Sequence, residues 1–204
     1  MKGLYAITPD VASTDVLTRM VAQALEGGAV VVQYRNKTAD AMLRKEQAVA
    51  ILRLVRPKRV PLIVNDDVAL AVEIDADGAH VGREDGDLPA ARRQLRGKLL
   101  GVSCYASLET ARAAVGEGAD HVAFGSVFAS GTKPDAARAP LSLFSQARSL
   151  GVPLVAIGGI TAANASLAFS SGADCVAVIT DLFGAADIAG RARLYCELFE
   201  KQNV

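Results

Sequence analysis

Short apolar runs alternate along the chain with longer segments rich in Ala, Leu, Arg and Glu. Most of the short runs are apolar at every position, which is typical of strands in a parallel sheet covered by helices. The predicted strands are residues 4–7, 30–34, 62–64, 78–81, 99–103, 121–124, 154–157 and 175–179. The clearest predicted helices are residues 16–26, 41–55, 108–117 and 163–171. The pattern therefore predicts an α/β fold.

A Gly-containing segment recurs where predicted helices end, at residues 26–29, 117–120 and 171–174. Gly is favoured just past a helix end because it adopts the left-handed conformation easily. Eight strand–helix units fill the 204 residues, a length near the lower limit of the (β/α)8 barrel. The sequence therefore predicts a single TIM-barrel domain over residues 1–204. An open doubly wound sheet is the alternative, but no GxGxxG motif follows the first strand.

Composition narrows the function classes. With 22 Lys and Arg against 22 Asp and Glu the formal net charge is zero, which argues against nucleic-acid binding. A hydrophobic content of 51% argues against disorder. No apolar run approaches the ~18 residues of a membrane helix, and residues 1–8 enter a strand rather than resembling a signal peptide. Because Cys104, Cys175 and Cys196 lack motif spacing, we expect a reduced, cytoplasmic setting; monomer and homo-oligomer both stay open.

Charged residues follow the predicted strands at the end where a TIM barrel carries its active site. Arg35 and Lys37 are two positions apart after the second strand, so both can project from one side of an extended segment toward one anion. A solvated loop is the alternative for this pair. With Lys133 as a third cation, the set favours a diphosphate over a monophosphate.

Two carboxylates follow the third and fourth strands, Asp66 and Asp85. Mg2+ takes one or two carboxylates together with phosphate oxygens and water, so this pair predicts a magnesium site. Asp66 is alternatively the N-cap of the next helix, and Asp85 a turn residue. Asn65 either holds a phosphate oxygen or forms an Asx-turn.

A glycine pair, Gly158 and Gly159, follows the seventh strand. Glycine lets backbone N–H groups approach a phosphate, and a helix N-terminus adds partial positive charge. The loops after strands seven and eight are the usual phosphate site of this fold, although a tight turn also explains the glycines. With Arg35 and Lys37, the sequence predicts two anion sites and therefore two phosphorylated substrates.

The remaining candidate side chains carry weaker signals. His80 and His121 lie within predicted strands without the spacing of a zinc site, so we expect core or supporting roles for them. Cys104 has no His or Asp partner at motif spacing, which argues against thiol catalysis. Tyr5 and Tyr34 either stack on a heteroaromatic ring or pack in the core.

Several motifs occur in a fixed order: YAIT at 5–8, QYRNK at 33–37, ND at 65–66, HVGRED at 80–85, GVS at 101–103, the stretch 128–133 and AIGGI at 156–160. As an ordered set spanning residues 3–199, they resemble the thiamine phosphate synthase family. The resemblance implies a TIM-barrel transferase with Mg2+ as cofactor. Its substrates would be 4-amino-2-methyl-5-hydroxymethylpyrimidine diphosphate (the pyrimidine diphosphate) and 4-methyl-5-(2-hydroxyethyl)thiazole phosphate (the thiazole phosphate), and its products thiamine phosphate and pyrophosphate.

The resemblance also implies roles for individual residues. The pyrimidine diphosphate would be bound by Gln33, Arg35, Lys37, Asn65, Ser103 and Lys133. The thiazole phosphate would be bound by Ser130, Thr132, Gly159, Ile179 and Thr180. Asp66 and Asp85 would hold Mg2+, and the implied catalytic residues are Arg35, Lys37, Ser103 and Lys133. Because the thiazole nitrogen is the nucleophile of this reaction, no protein nucleophile is expected.

Seven positions depart from the usual family pattern, and two of them, Gly86 and Asp87, form a local change after Asp85. Arg83 stands where Gln is usual, Ala129 where Pro is usual, Ser130 where Thr is usual and Thr180 where Ser is usual. Asp67 adds a carboxylate beside Asp66. The two hydroxyl exchanges retain the hydrogen-bonding group.

Two other functions remain as alternatives to the synthase. A thiazole tautomerase-like isomerase tends to lack the diphosphate-binding and metal-binding groups that this chain carries. A non-catalytic thiazole-phosphate-binding protein would need no pair of magnesium ligands. A phosphosugar isomerase of this barrel type would need a general acid/base pair, and none is evident in the sequence.

Overall fold

The computed structural model describes residues 1–82, 87–129 and 138–202. Eight parallel strands close into a barrel in sequence order, and β8 pairs with β1. The strands are β1 (Gly3–Ile7), β2 (Val31–Tyr34), β3 (Leu62–Asn65), β4 (Gly78–Val81), β5 (Leu99–Tyr105), β6 (His121–Phe124), β7 (Leu154–Ile157) and β8 (Cys175–Val178). The predicted (β/α)8 barrel is confirmed, and the open doubly wound sheet is wrong.

Helices connect consecutive strands. They are α1 (Thr14–Glu26), α2 (Ala41–Val55), α3 (Val68–Glu73), α4 (Leu88–Leu95), α5 (Leu108–Gly116), α6 (Ser142–Ala147), α7 (Ala165–Ser170), α8 (Thr180–Phe183) and α9 (Ile188–Glu200). Short 3-10 helices follow α2 and α6, at Arg56–Lys58 and Arg148–Leu150. Among the described residues, every helix is too short or too polar to span a bilayer.

Capping side chains set where several helices begin. The Ser13 hydroxyl accepts a hydrogen bond from the Val16 N–H, so α1 starts two residues before the predicted position. Ser107 caps α5 as the sequence predicts, by accepting from the Thr110 N–H. Each such cap satisfies an N–H group that has no partner within the helix.

The barrel has two apolar layers, which explains why its strands are apolar on both faces. The inner layer is formed by Tyr5, Ile7, Val31, Ile63, Ala123, Val155, Cys175 and Ala177, all buried. The alternate residues of the same strands, such as Leu4 and Ala6, pack outward against the helices. Successive strand side chains point to opposite faces, so β1, β2, β3, β6, β7 and β8 each contribute buried apolar side chains to both layers.

Glycines turn the chain from helices back into strands. Gly118 and Gly172 have φ of +95° and +107°, the left-handed geometry predicted for them. Gly27 is an exception, because its φ is −81° and Gly28, at +97°, adopts the left-handed conformation instead. These turns deliver each strand into the barrel with its C-terminal end on one common rim.

Candidate active site

A cavity of about 110 Å³ opens at the C-terminal mouth of the barrel, and all eight strands or the residues just after them contribute to its wall. It is lined by Tyr5, Ile7, Gln33, Arg35, Asn65, His80, Ser103, Ala123, Val155, Ile157, Ala177 and Ile179. One side is apolar, and the other carries amide, hydroxyl and imidazole groups. The Gln33 Nε2 donates to the Tyr5 hydroxyl at 2.9 Å, which fixes the orientation of both side chains.

Two histidines stand behind the Ser103 hydroxyl. His80 Nε2 is hydrogen-bonded to Ser103 Oγ at 2.9 Å, and His80 Nδ1 lies 3.4 Å from His121 Nε2. Gly101 makes room for this pair, because a Cβ there would come within 2.4 Å of both rings. Burial, and then the proximity of His80, lowers the pKa of His121 to about 3, so this ring is neutral near pH 7.

A second cavity, of about 240 Å³, lies between the loops that follow β2 and β3. It is lined by Tyr34, Arg35, Asn36, Lys37, Arg44, Val64, Asn65, Asp66, Asp67 and Leu70. Arg35 and Asn65 line both cavities, so the two are neighbours. The structure thus brings Arg35, Lys37, Asn65 and Asp66 together at one place.

The cations at this place are held by residues that the sequence reasoning missed. Asp10 Oδ1 accepts from Arg35 Nη1 at 3.0 Å and from the Lys37 backbone N–H at 2.9 Å. The Lys37 Nζ lies 3.7 Å from Asp66 Oδ2. Arg44, from α2, adds a further cation to the cavity wall. Nothing local marks Asp10 or Arg44, since each reaches the site only once the barrel has closed.

Asp66 and Asp67 divide two roles that the sequence left open. Asp67 caps α3 by accepting from the Leu70 N–H at 2.9 Å, so the N-cap interpretation of Asp66 is wrong. Asp66 has a φ of +61°, and its N–H donates to the His80 carbonyl at 2.8 Å. Asp66 lines the second cavity, where its Oδ2 lies 3.7 Å from Lys37 Nζ.

The oxygen donors at this cavity fit Mg2+. Asp66 supplies a carboxylate and Asn65 an amide, both hard ligands, and Mg2+ needs only one or two carboxylates when substrate phosphates and water complete its shell. Across residues 1–82, 87–129 and 138–202, no group of three or more His, Cys, Asp or Glu side chains is placed to hold a metal by itself. Substrate oxygens would have to complete the site.

The glycine pair follows β7, with φ of +96° at Gly158 and +64° at Gly159. The Phe128 N–H donates to the Gly158 carbonyl at 3.0 Å, and a Cβ on Gly159 would stand 2.3 Å from the Ala129 carbonyl oxygen. Gly159 therefore packs so closely against the loop after β6 that a larger residue does not fit. This agrees with the tight-turn interpretation of the glycine pair. Ile179 follows β8, the strand paired with β7, and Thr180 begins α8.

Several predicted site residues lie outside the described residues: Asp85, Ser130, Thr132 and Lys133. Arg83, one of the departures from the family pattern, lies outside them as well. The remaining candidates all lie at the C-terminal end of the barrel.

A family model described as thiamine monophosphate synthase matches residues 4–182. The chain belongs to the thiamine monophosphate synthase family. A thiamine-phosphate synthase of Methylobacillus flagellatus is 53% identical over 200 residues, covering 98% of this chain and 96% of that protein. One of Chromobacterium violaceum is 54% identical over 194 residues, covering 95% and 94%. The solved thiamine phosphate pyrophosphorylase of Pyrococcus furiosus superposes with a TM-score of 0.89 at 34% identity, covering 98% and 96%.

Membership of the thiamine monophosphate synthase family confirms the resemblance seen in the sequence motifs. It makes the chain a transferase of thiamine biosynthesis, and these relatives favour the synthase over the tautomerase-like alternative. The match also extends across nearly the whole of each relative, so the family assignment covers the entire barrel.

Proposed function

We propose that the chain condenses the pyrimidine diphosphate with the thiazole phosphate and releases pyrophosphate. The observation that carries this proposal is the pair of neighbouring cavities that share Arg35 and Asn65. A cavity with Arg35, Lys37 and Asp66 suits a diphosphate, while the partly apolar barrel mouth suits two heteroaromatic rings. The shared wall suits the bond between ring methylene and diphosphate, which is the bond that breaks.

In this proposal the methylene C–O bond of the pyrimidine diphosphate breaks, and its electron pair leaves with pyrophosphate. The lone pair of the thiazole nitrogen then forms the new C–N bond at the methylene carbon. Negative charge grows on the leaving group, so Arg35, Lys37 and Lys133 lower the barrier by holding positive charge ready at that point. The ion pair of Arg35 with Asp10 at 3.0 Å keeps this guanidinium oriented before substrate arrives.

The pyrimidine ring is held at the barrel mouth in the same proposal. The Gln33 amide, fixed by Tyr5, and the Ser103 hydroxyl, fixed by His80, hydrogen-bond the ring and its substituents, and Asn65 bridges toward the diphosphate. No side chain has to act as nucleophile. The neutral, buried His121 is consistent with a supporting role.

Asp66 and Asp85 would hold Mg2+, which when bound neutralises charge on the diphosphate oxygens. Lys37, whose Nζ lies 3.7 Å from Asp66 Oδ2, would add a further positive charge to the same diphosphate. On the opposite part of the rim, Gly159, Ile179 and Thr180 would bind the thiazole phosphate together with Ser130 and Thr132.

The test is an end-point and steady-state assay of thiamine phosphate, read as its fluorescent oxidation product. Lys37→Ala should lower kcat/KM for the pyrimidine diphosphate by about a hundredfold or more, as loss of a preorganised charge does. Lys45→Ala is the matched control, since Lys45 lies on α2 and pairs with Glu73 away from both cavities. Product should also vanish with a chelator and with Asp66→Asn.

Wild-type protein that binds the thiazole phosphate without forming product would overturn the synthase and favour the non-catalytic binding protein. Turnover of Lys37→Ala equal to that of Lys45→Ala would overturn the role given to Lys37.

We also propose that the reaction takes place in the cytoplasm. All three cysteines, Cys104, Cys175 and Cys196, carry free thiols, as is usual in a reducing compartment. The partners proposed are the two small-molecule substrates.

A further inference from the structure

We propose that Asn164 is a positioning residue for the thiazole-phosphate site, because its side chain fixes the peptide that follows Gly159. The proposal rests on the function proposed above, but it concerns a residue that the sequence motifs did not single out. Asn164 has no part in either cavity wall and acts only through the backbone of the loop after β7.

The Asn164 carboxamide bonds this loop at two points. Its Nδ2 donates to the Gly159 carbonyl at 2.9 Å, and its Oδ1 accepts from the Thr161 N–H at 2.9 Å. The side chain therefore bonds both peptides that flank Ile160, through the Gly159 carbonyl and the Thr161 N–H. Both bonds are near the ideal length for N–H···O.

The Asn164 side chain does not cap the helix that follows it. Asn164 stands at the N-cap position of α7, where an Asn oxygen ordinarily accepts from the first helical turn, yet it makes no such bond here. The side chain turns back to the glycine loop instead, which points to a requirement of the loop rather than of the helix.

The two bonds determine which way the next N–H points. In a trans peptide the C=O and the N–H lie on opposite sides, so holding the Gly159 carbonyl toward Asn164 directs the Ile160 N–H away from it. The Thr161 N–H is taken by Asn164 and the Ala162 N–H by Asp181 Oδ2 at 3.3 Å. Within the described part of the chain, the N–H groups of Gly159 and Ile160 have no acceptor. Consecutive N–H groups of this kind suit an anionic phosphate.

The test separates the two substrates. Asn164→Ala should raise KM for the thiazole phosphate by about tenfold, the loss expected for one hydrogen bond to a charged group. KM for the pyrimidine diphosphate should stay within about twofold. Leu167→Ala is the matched control, because Leu167 lies on the same helix, is 55% exposed and should change neither constant. Asn164→Asp keeps the acceptor for Thr161 but loses the donor to Gly159, so it should resemble Asn164→Ala.

A rise in both KM values, or in neither, would overturn the proposal while leaving the synthase activity of the wild type established. If the wild type forms no product, the proposed function fails, and calorimetric binding of the thiazole phosphate to wild type and Asn164→Ala still tests the inference. If the variants do not fold, amide NMR of the wild type decides. The Gly159 and Ile160 resonances should shift on addition of the thiazole phosphate and the Thr161 resonance should not; unchanged Gly159 and Ile160 signals would overturn the proposal.

Discussion

His121 should make the stability of the barrel depend on pH between 7 and 5. The side chain is fully buried, and its Nδ1 has no hydrogen-bond partner among the described residues. Burial, then the neighbouring His80 and the N-terminal ammonium, lowers its pKa to about 3. In the unfolded chain the pKa returns to ~6.5. Because the folded pKa is the lower one, the stability this group contributes is complete above the unfolded pKa and is lost as pH falls toward 3.

The magnitude follows from the two pKa values. At pH 5 the unfolded chain binds nearly one proton at His121 and the folded protein almost none. The interval from pH 6.5 to pH 5 spans ~1.5 units at ~1.4 kcal/mol each. This one group should therefore remove about 2 kcal/mol from the free energy of unfolding, or roughly 4–8 °C of Tm in a chain of this size.

Urea unfolding of wild type and His121→Gln at pH 7, 6 and 5 measures this contribution. Gln places a polar atom near the position of Nε2 and does not titrate, so the difference in unfolding free energy between the two proteins should change by about 2 kcal/mol across the range. Ile63→Val is the control: Ile63 is buried in the inner layer, and this variant is destabilised but keeps His121, so it should retain the wild-type pH dependence. Equal losses in wild type and His121→Gln would refute the reasoning.

Three further substitutions test local features of the fold. Gly101→Ala would place a Cβ 2.2 Å from His121 Nε2 and should lower the unfolding free energy by about 1–3 kcal/mol; wild-type stability in urea would contradict this. Asp67→Ala removes the cap of α3 and should cost about 1 kcal/mol in thermal unfolding, whereas an unchanged Tm would argue against the cap. Tyr195→Phe removes a 2.6 Å hydrogen bond to the Asp181 carboxylate and should cost about 1.5–3 kcal/mol by chemical denaturation. A variant as stable as the wild type would contradict this.

The hydrogen bond from Tyr195 also affects the pKa of Asp181 and, through it, the stability of the fold in acid. Burial raises the pKa of Asp181, but hydrogen bonds from Tyr195 and Arg191 outweigh it and hold the pKa below its ordinary value. The carboxylate thus stays charged in the fold and joins α9 to the loop after β7 through the Ala162 N–H. Its stabilising effect is present above the ordinary carboxyl pKa and is lost in more acidic solution.

Features that depend on neighbouring residues were predictable from the sequence. Strands that are apolar on both faces require helices on one side of the sheet and a filled barrel interior on the other. The Ser107 cap and the turns at Gly118 and Gly172 were predictable because they involve groups only a few residues apart. Family motifs then identified the strand-end residues as an ordered set. The order of the strands followed because each strand–helix unit returns the chain to the same rim.

The tertiary structure decided what depends on groups distant in the chain. Asp67 rather than Asp66 caps α3, and this depends on the backbone of Asp66. Its φ is +61°, and its N–H donates to the His80 carbonyl on β4. Asp10 reaches Arg35 and Lys37 only because β1 and β2 pair, and closure joins Leu4 to Val176 across the whole chain. Local patterns specify elements because their interactions lie within a few residues, but a site made from eight strand ends exists only after the barrel has closed.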